Sequence, residues 1–133
     1  LPYDAVITQK EADRLLPYLE IFQDPGQTLY TQVNGYICEA EPIGAFRKEL
    51  EETGFLMVFD WKSWIREHEM YKDVRQNIQP HIMSSDVETL RKLLTSYVRG
   101  DRFSEGLFVE VVTNGKVVQI LERLKELRSS LPE

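Results

Sequence analysis

The chain is 133 residues long, and 16 basic against 22 acidic side chains give it a formal charge of −6 and a pI near 5.0. Its 42% hydrophobic and 29% charged residues match one ordinary globular domain and exclude a largely disordered chain. The longest apolar run, Phe55 to Phe59, is far short of the roughly 20 residues that a bilayer crossing needs. With no charged-then-apolar leader and a single cysteine, Cys38, the expectation is a cytoplasmic protein without an internal disulfide framework.

Thr8 followed by Glu11 has the spacing of a capping box and opens a first helix running to about Phe22, with Ala12, Leu15, Leu16, Leu19 and Phe22 in helical register. Pro17 lies inside it and lacks a backbone N–H, which predicts a kink or a break. Asp24, Pro25 and Gly26 end the helix. Leu29, Tyr30, Val33, Tyr36 and Ile37 then flank Asn34-Gly35, a pattern for extended structure or a short hairpin. Pro42 suits the first turn of a second helix, with Ile43, Phe46 and Leu50 as its apolar stripe and Gly54 as its stop. Phe55 to Phe59 reads as a buried strand or extended connector.

Asp60 is placed to cap a third helix that carries Trp61, Trp64, Ile65, His68 and Tyr71 on one face. Asp86 caps a fourth, where Val87, Leu90, Leu93, Leu94, Tyr97 and Val98 recur at helical spacing up to Arg99 and Gly100. Val111 to Val118 looks locally like a hairpin on Asn114-Gly115, but the wider pattern decides otherwise. Phe103, Leu107, Phe108, Val111 and Val112, and then Val117, Ile120, Leu121, Leu124 and Leu127, keep helical spacing on either side of Gly115. The expected fold is mainly α, with about six helices, a short extended or hairpin segment and a C-terminal three-helix unit.

Two segments are distinctive in combination: Gly54-Phe55 with Phe59-Asp-Trp-Lys-Ser-Trp64, and Leu94-Thr-Ser-Tyr-Val-Arg-Gly-Asp-Arg-Phe-Ser-Glu-Gly106 running on to Gly115 and Ile120-Leu-Glu-Arg-Leu124. Over roughly residues 36 to 128 the sequence resembles a family of small prokaryotic proteins catalogued as a domain of unknown function. The resemblance implies no activity, cofactor or partner. Two positions depart from the pattern: Leu107 stands where a His often follows the Glu-Gly pair, and His68 stands where a small residue is usual.

Arg99, Asp101, Arg102 and Glu105 crowd four charges into a helix-to-helix corner. Two guanidiniums there can hold a phosphate or carboxylate, with Glu105 or Asp101 as base or orienter. The simpler reading is structural: Arg99 at a helix C-terminus, Asp101 or Ser104 as a cap, Arg102 paired with Glu105. Asp60 with Trp61 and Trp64 can line a pocket for a flat ligand, or be a cap followed by core aromatics. His68, His81 and Cys38 are the only nitrogen and sulfur ligand candidates and are badly spaced for zinc, so neither a metal nor another cofactor is expected. Cys38 reads as a small buried hydrophobe.

Function is expected in one of three classes. Amphipathic helices without catalytic signatures favour a non-enzymatic protein-interaction or self-association module, with a protein partner or a second copy. The alternative is a small-ligand-binding protein or enzyme using Arg99, Arg102 and Glu105 as an anion-binding corner, with Asp60, Trp61 and Trp64 as further candidates. The third is a helix-turn-helix over residues 103 to 127, against which stand the acidic balance of the chain and Glu122 and Glu126 on its second helix. No membrane association is expected.

Overall fold

The computed structural model describes residues 5–133. Thr8 is extended, Glu11 accepts its backbone N–H at 3.0 Å, and α1 (Gln9–Leu15) starts from this reciprocal cap. Pro17 breaks the expected first helix outright, and α2 (Tyr18–Gln23) follows as a separate segment. β1 (Tyr30–Val33) and β2 (Tyr36–Glu39) pair antiparallel around Asn34-Gly35, with Val33 opposite Tyr36 and Tyr30 opposite Glu39. Both central turn residues have positive φ, +52° and +82°, as a turn matching the twist of a hairpin requires.

Helix α3 (Glu41–Glu52) carries Pro42 in its first turn and buries Ile43, Phe46 and Leu50. The stretch from Phe55 to Phe59 is a connector rather than a strand. It is held because Arg91 donates to the carbonyls of Phe55 and Gly54, both at 2.9 Å, and Met57 N–H donates to Thr95 Oγ1 at 3.0 Å. Asp60 caps α4 (Trp61–Glu67) by accepting the Ser63 N–H at 3.2 Å. A 3-10 turn, Glu69–Tyr71, and the short α5 (Gln79–Met83) lead to α6 (Val87–Gly100), capped by Asp86 on the Thr89 N–H at 2.8 Å.

Residues 101 to 106 correct the expected start of the next helix. The chain turns there, α7 spans Leu107–Thr113, and Phe103, expected on the apolar stripe, is 67% exposed against Trp61 and Lys62. Gly106 permits the turn: its φ is +84°, and a Cβ there would come within 2.7 Å of Ile37 Cδ1 on the hairpin. Gly115 then separates α7 from α8 (Lys116–Leu127).

Phe46 sits at the centre of the core, edge-on to Phe22 at 5.1 Å and stacked on Phe108 at 6.4 Å. The C-terminal unit of α6, α7 and α8 supplies most of the rest, including Leu90, Leu94, Val111, Ile120, Leu121 and Leu124. Helix α8 packs against α1, α2, α5, α6 and α7, so the second helix of the expected helix-turn-helix turns chiefly its Glu122, Lys125 and Glu126 side to solvent. Among the described residues no helix is long and apolar enough to cross a membrane.

Candidate functional site

The structure divides the sequence-predicted site residues among three places. Arg99 and Arg102 line one shallow depression with Arg47, Glu51 and Asp101. Its cations are largely answered: Arg99 pairs with Glu51 at 3.1 Å, and Arg47 pairs with Glu39 at 2.6 Å and with Asp101 at 3.3 Å. Arg47 also lies over the Phe108 ring, 4.5 Å from its centre. Asp101 accepts the Phe108 N–H at 2.9 Å, which makes it a capping group for α7. Among the described residues Arg102 has no ion pair, so the expected Arg102 to Glu105 bridge does not form. Glu105 faces a separate depression between the hairpin and α7.

Asp60, Trp61 and Trp64 also separate. Asp60 is an exposed cap whose carboxyl lies below the usual carboxylate range, because the hydroxyl and N–H of Ser63 donate to its charged form. Trp64 stacks on His68 at 4.5 Å and on Tyr71 at 5.4 Å, and His68 Nδ1 lies 2.7 Å from the Trp64 carbonyl. Trp61 turns instead into a groove between α4, α6 and α7. Cys38, expected to be buried, is exposed because β2 lies on the surface.

That groove has a volume of about 340 Å³. Trp61 and Ile65 form one wall, Ser96, Tyr97 and Gly100 the side on α6, Leu107 and Glu110 the side on α7, and the loop from Tyr71 to Arg75 the rim. Gly100 allows the walls to close: a Cβ there would stand 3.0 Å from Leu107 Cδ2 and 3.7 Å from the Trp61 ring. The loop is pinned from the α7 to α8 corner, where Asn114 Nδ2 donates to the Val74 carbonyl at 3.1 Å and Lys116 Nζ to the Gln76 carbonyl at 2.7 Å. On the rim, Asp73 accepts the Arg75 N–H at 2.9 Å, and this bond holds its carboxyl below the usual range.

Tyr97 is the unusual member. It is 2% exposed, and its hydroxyl is buried without a hydrogen-bond partner. Burial, with the neighbouring Tyr71 adding to it, pushes its phenol well above the ordinary value, so it remains a proton donor. Sequence reasoning places Tyr97 in a core stripe. The available signal is chemical: a tyrosine on an apolar helix face brings a hydroxyl that needs an answer.

The model of a family of unknown function, DUF6508, matches residues 7–130. The chain belongs to the DUF6508 family. No curated protein and no solved structure matches it. The DUF6508 match takes in every residue of the groove as well as the arginine corner, and extends beyond the segments that carry the resemblance in the sequence.

Proposed function

We propose that this DUF6508 chain is a cytoplasmic prokaryotic protein that binds a small flat molecule in the groove between α4, α6 and α7. The observation that carries the reading is the Tyr97 hydroxyl. A buried donor left unpaired costs about 1–3 kcal/mol, and native proteins satisfy most such groups. The hydroxyl lies just beneath the groove lining, so a ligand acceptor supplies the missing partner by displacing part of that lining, while Trp61, Tyr71 and Leu107 offer the apolar contact area. The volume falls within the usual range for small-molecule sites. The arginine corner is less suited to an anion, because Glu51, Glu39 and Asp101 already occupy the guanidiniums of Arg99 and Arg47 and leave only the exposed Arg102.

The test is amide and indole NMR of the protein against a set of planar fragments with and without a hydrogen-bond acceptor. Acceptor-bearing fragments are expected to shift the Trp61 indole and the α6 and α7 amides, and Tyr97→Phe is expected to weaken them selectively. Equal binding by Tyr97→Phe, or shifts confined to other surfaces, overturns the reading.

The interaction-module reading keeps support in exposed apolar side chains, among them the outward face of the hairpin, where Val33 and Tyr36 are 53% and 65% exposed. If this face joins two copies, Tyr36→Ser lowers the mass measured by light scattering. A monomer at high concentration removes the self-association reading.

A further inference from the structure

The turn that leads from α6 into α7 is closed by its own backbone. The N–H groups of Phe103 and Ser104 donate to the Gly100 carbonyl at 2.9 and 3.0 Å, and the Leu107 N–H donates to the Ser104 carbonyl at 3.0 Å. Gly106 fixes the exit, because its left-handed backbone lets Ile37 approach where a Cβ would collide. This ordered turn carries Phe103 outward. Phenylalanine is ordinarily a buried residue, and of the six in the chain four are buried and Phe59 is half-buried, which leaves Phe103 as the exposed one. Its ring has a defined seat, 6.1 Å from the Trp61 ring centre, with the Lys62 ammonium 4.1 Å above its own. The two distinctive sequence segments, one holding Trp61 and the other Phe103, meet at this contact.

Cations gather around the ring. Lys62 and Arg102 are exposed, and Arg66 is exposed one turn beyond Lys62 on the same side of α4. Among the described residues none of the three forms an ion pair. The nearby acids are committed elsewhere. Asp60 lies close enough to Lys62 and Arg66 for their charges to act on it, but its two oxygens accept the N–H and the hydroxyl of Ser63. Glu105 faces the depression between the hairpin and α7. A chain of net charge −6 thus presents, at one turn, an exposed ring among three unpaired cations. Exposed charges farther apart than about 8 Å are screened at physiological ionic strength, so the local sign governs contact here.

We infer that this turn docks an acidic segment of a partner protein in which apolar side chains lie between carboxylates. The apolar side chains pack on Phe103 and the outer edge of Trp61, while the carboxylates pair with Lys62 and Arg102 and, farther along α4, with Arg66. Because the turn is ordered before the partner arrives, little freedom is lost on this side. The inference does not depend on the groove, since Tyr97 has no part in it. Single-stranded nucleic acid fits less well, because Lys62 already lies over the Phe103 ring, where a base would stack.

The test follows amide NMR of the whole chain with the peptide acetyl-Asp-Glu-Leu-Phe-Asp-Glu-amide and its neutral counterpart acetyl-Asn-Gln-Leu-Phe-Asn-Gln-amide. The acidic peptide is expected to shift the amides of Lys62, Arg102 and Phe103 and to bind about tenfold more tightly than the neutral one, the scale of two or three partly exposed charge pairs. Phe103→Ser should weaken the acidic peptide about fivefold, and Arg102→Gln should narrow its advantage over the neutral peptide about threefold without touching either ring. Both positions are exposed, so thermal melts of the variants should match the wild type. Equal affinity for the two peptides, no shift at the turn, or binding indifferent to Phe103→Ser overturns the inference. Tighter binding of a thymidine oligonucleotide than of the acidic peptide overturns it as well and assigns the cations to nucleic acid. Fragment binding in the groove is expected to survive Phe103→Ser, so the two readings fail separately.

Discussion

The arginine corner and the aromatic groove lie at the two sides of α6, and they handle polar groups in opposite ways. At the corner, Arg99, Arg47, Glu51, Glu39 and Asp101 form a partly solvated set in which opposite charges meet at 2.6–3.3 Å. Around the groove and the neighbouring depression the charges are as numerous, but the Tyr97 hydroxyl and the Gln119 amide oxygen are buried without a partner, and Lys116 is buried with only the Gln76 carbonyl. Partly exposed ion pairs contribute little and exchange readily with solvent, whereas a buried group without a partner leaves free energy for a ligand to recover. On the proposed reading, capacity to bind follows the unanswered group rather than the density of charge along the sequence.

Stability measurements by urea denaturation can break or sharpen this contrast. The largest effect should come from Phe108→Ala, which empties a fully buried position beneath both the Phe46 stack and the Arg47 guanidinium. A loss of about 3–5 kcal/mol is expected, the usual cost of such a cavity. A much smaller loss would mean that the corner does not rest on the core. Next, Asp101→Ala should cost about 1–2 kcal/mol by removing the α7 cap and one Arg47 contact together. If Asp101→Ala is neutral, the corner is neither a cap nor a brace.

Tyr97→Phe should behave in the opposite sense. Deleting an unpartnered buried hydroxyl is expected to leave the free protein unchanged or more stable by up to about 1 kcal/mol, even as ligand affinity falls. A clear destabilisation would show that the hydroxyl already has a partner and would erase the contrast between the two regions. The smallest change belongs to Arg102→Ala, within about 0.5 kcal/mol, because this side chain is exposed and unpaired among the described residues.

The elements readable in the sequence are those fixed by local chemistry. The Thr8 and Glu11 box, the break at Pro17, the Asn34-Gly35 turn, the Asp60 and Asp86 caps and the Gly115 corner all depend on neighbours within a few residues. Helix α5 was not legible because five residues opening on Gln79 and Pro80 cannot establish a helical period. Phe103 leaves its expected stripe because the left-handed Gly106 starts α7 and puts residues 101 to 106 outside the helical period. Cys38 was misplaced because only the surface position of the hairpin exposes it.

The site was harder to see for a related reason. Asp60, Trp61 and Trp64 are adjacent in sequence, yet the helical turn sends Trp61 into the groove and Trp64 onto His68. Tyr97 and Lys116 become notable only through what fails to meet them, and a missing partner is a property of tertiary packing.

The anchoring of α1 has a consequence for synthesis. Gln9 donates its backbone N–H to the Pro132 carbonyl at 2.8 Å and its side-chain amide to the Leu131 carbonyl at 3.2 Å, while Arg128 grips Asp13. These contacts join residues more than a hundred positions apart in the chain. Arg14 also pairs with Glu49 and Glu52 on α3, both at 2.7 Å, so α1 can meet α3 early in synthesis but completes its docking only when residues 128 to 132 have emerged. Contacts of such long separation are also slow to form. Among the described helices, α1 is thus secured in two stages, by a partner about 35 residues away and then by one more than a hundred residues away, and a chain cut short before residue 128 leaves it held on one side only.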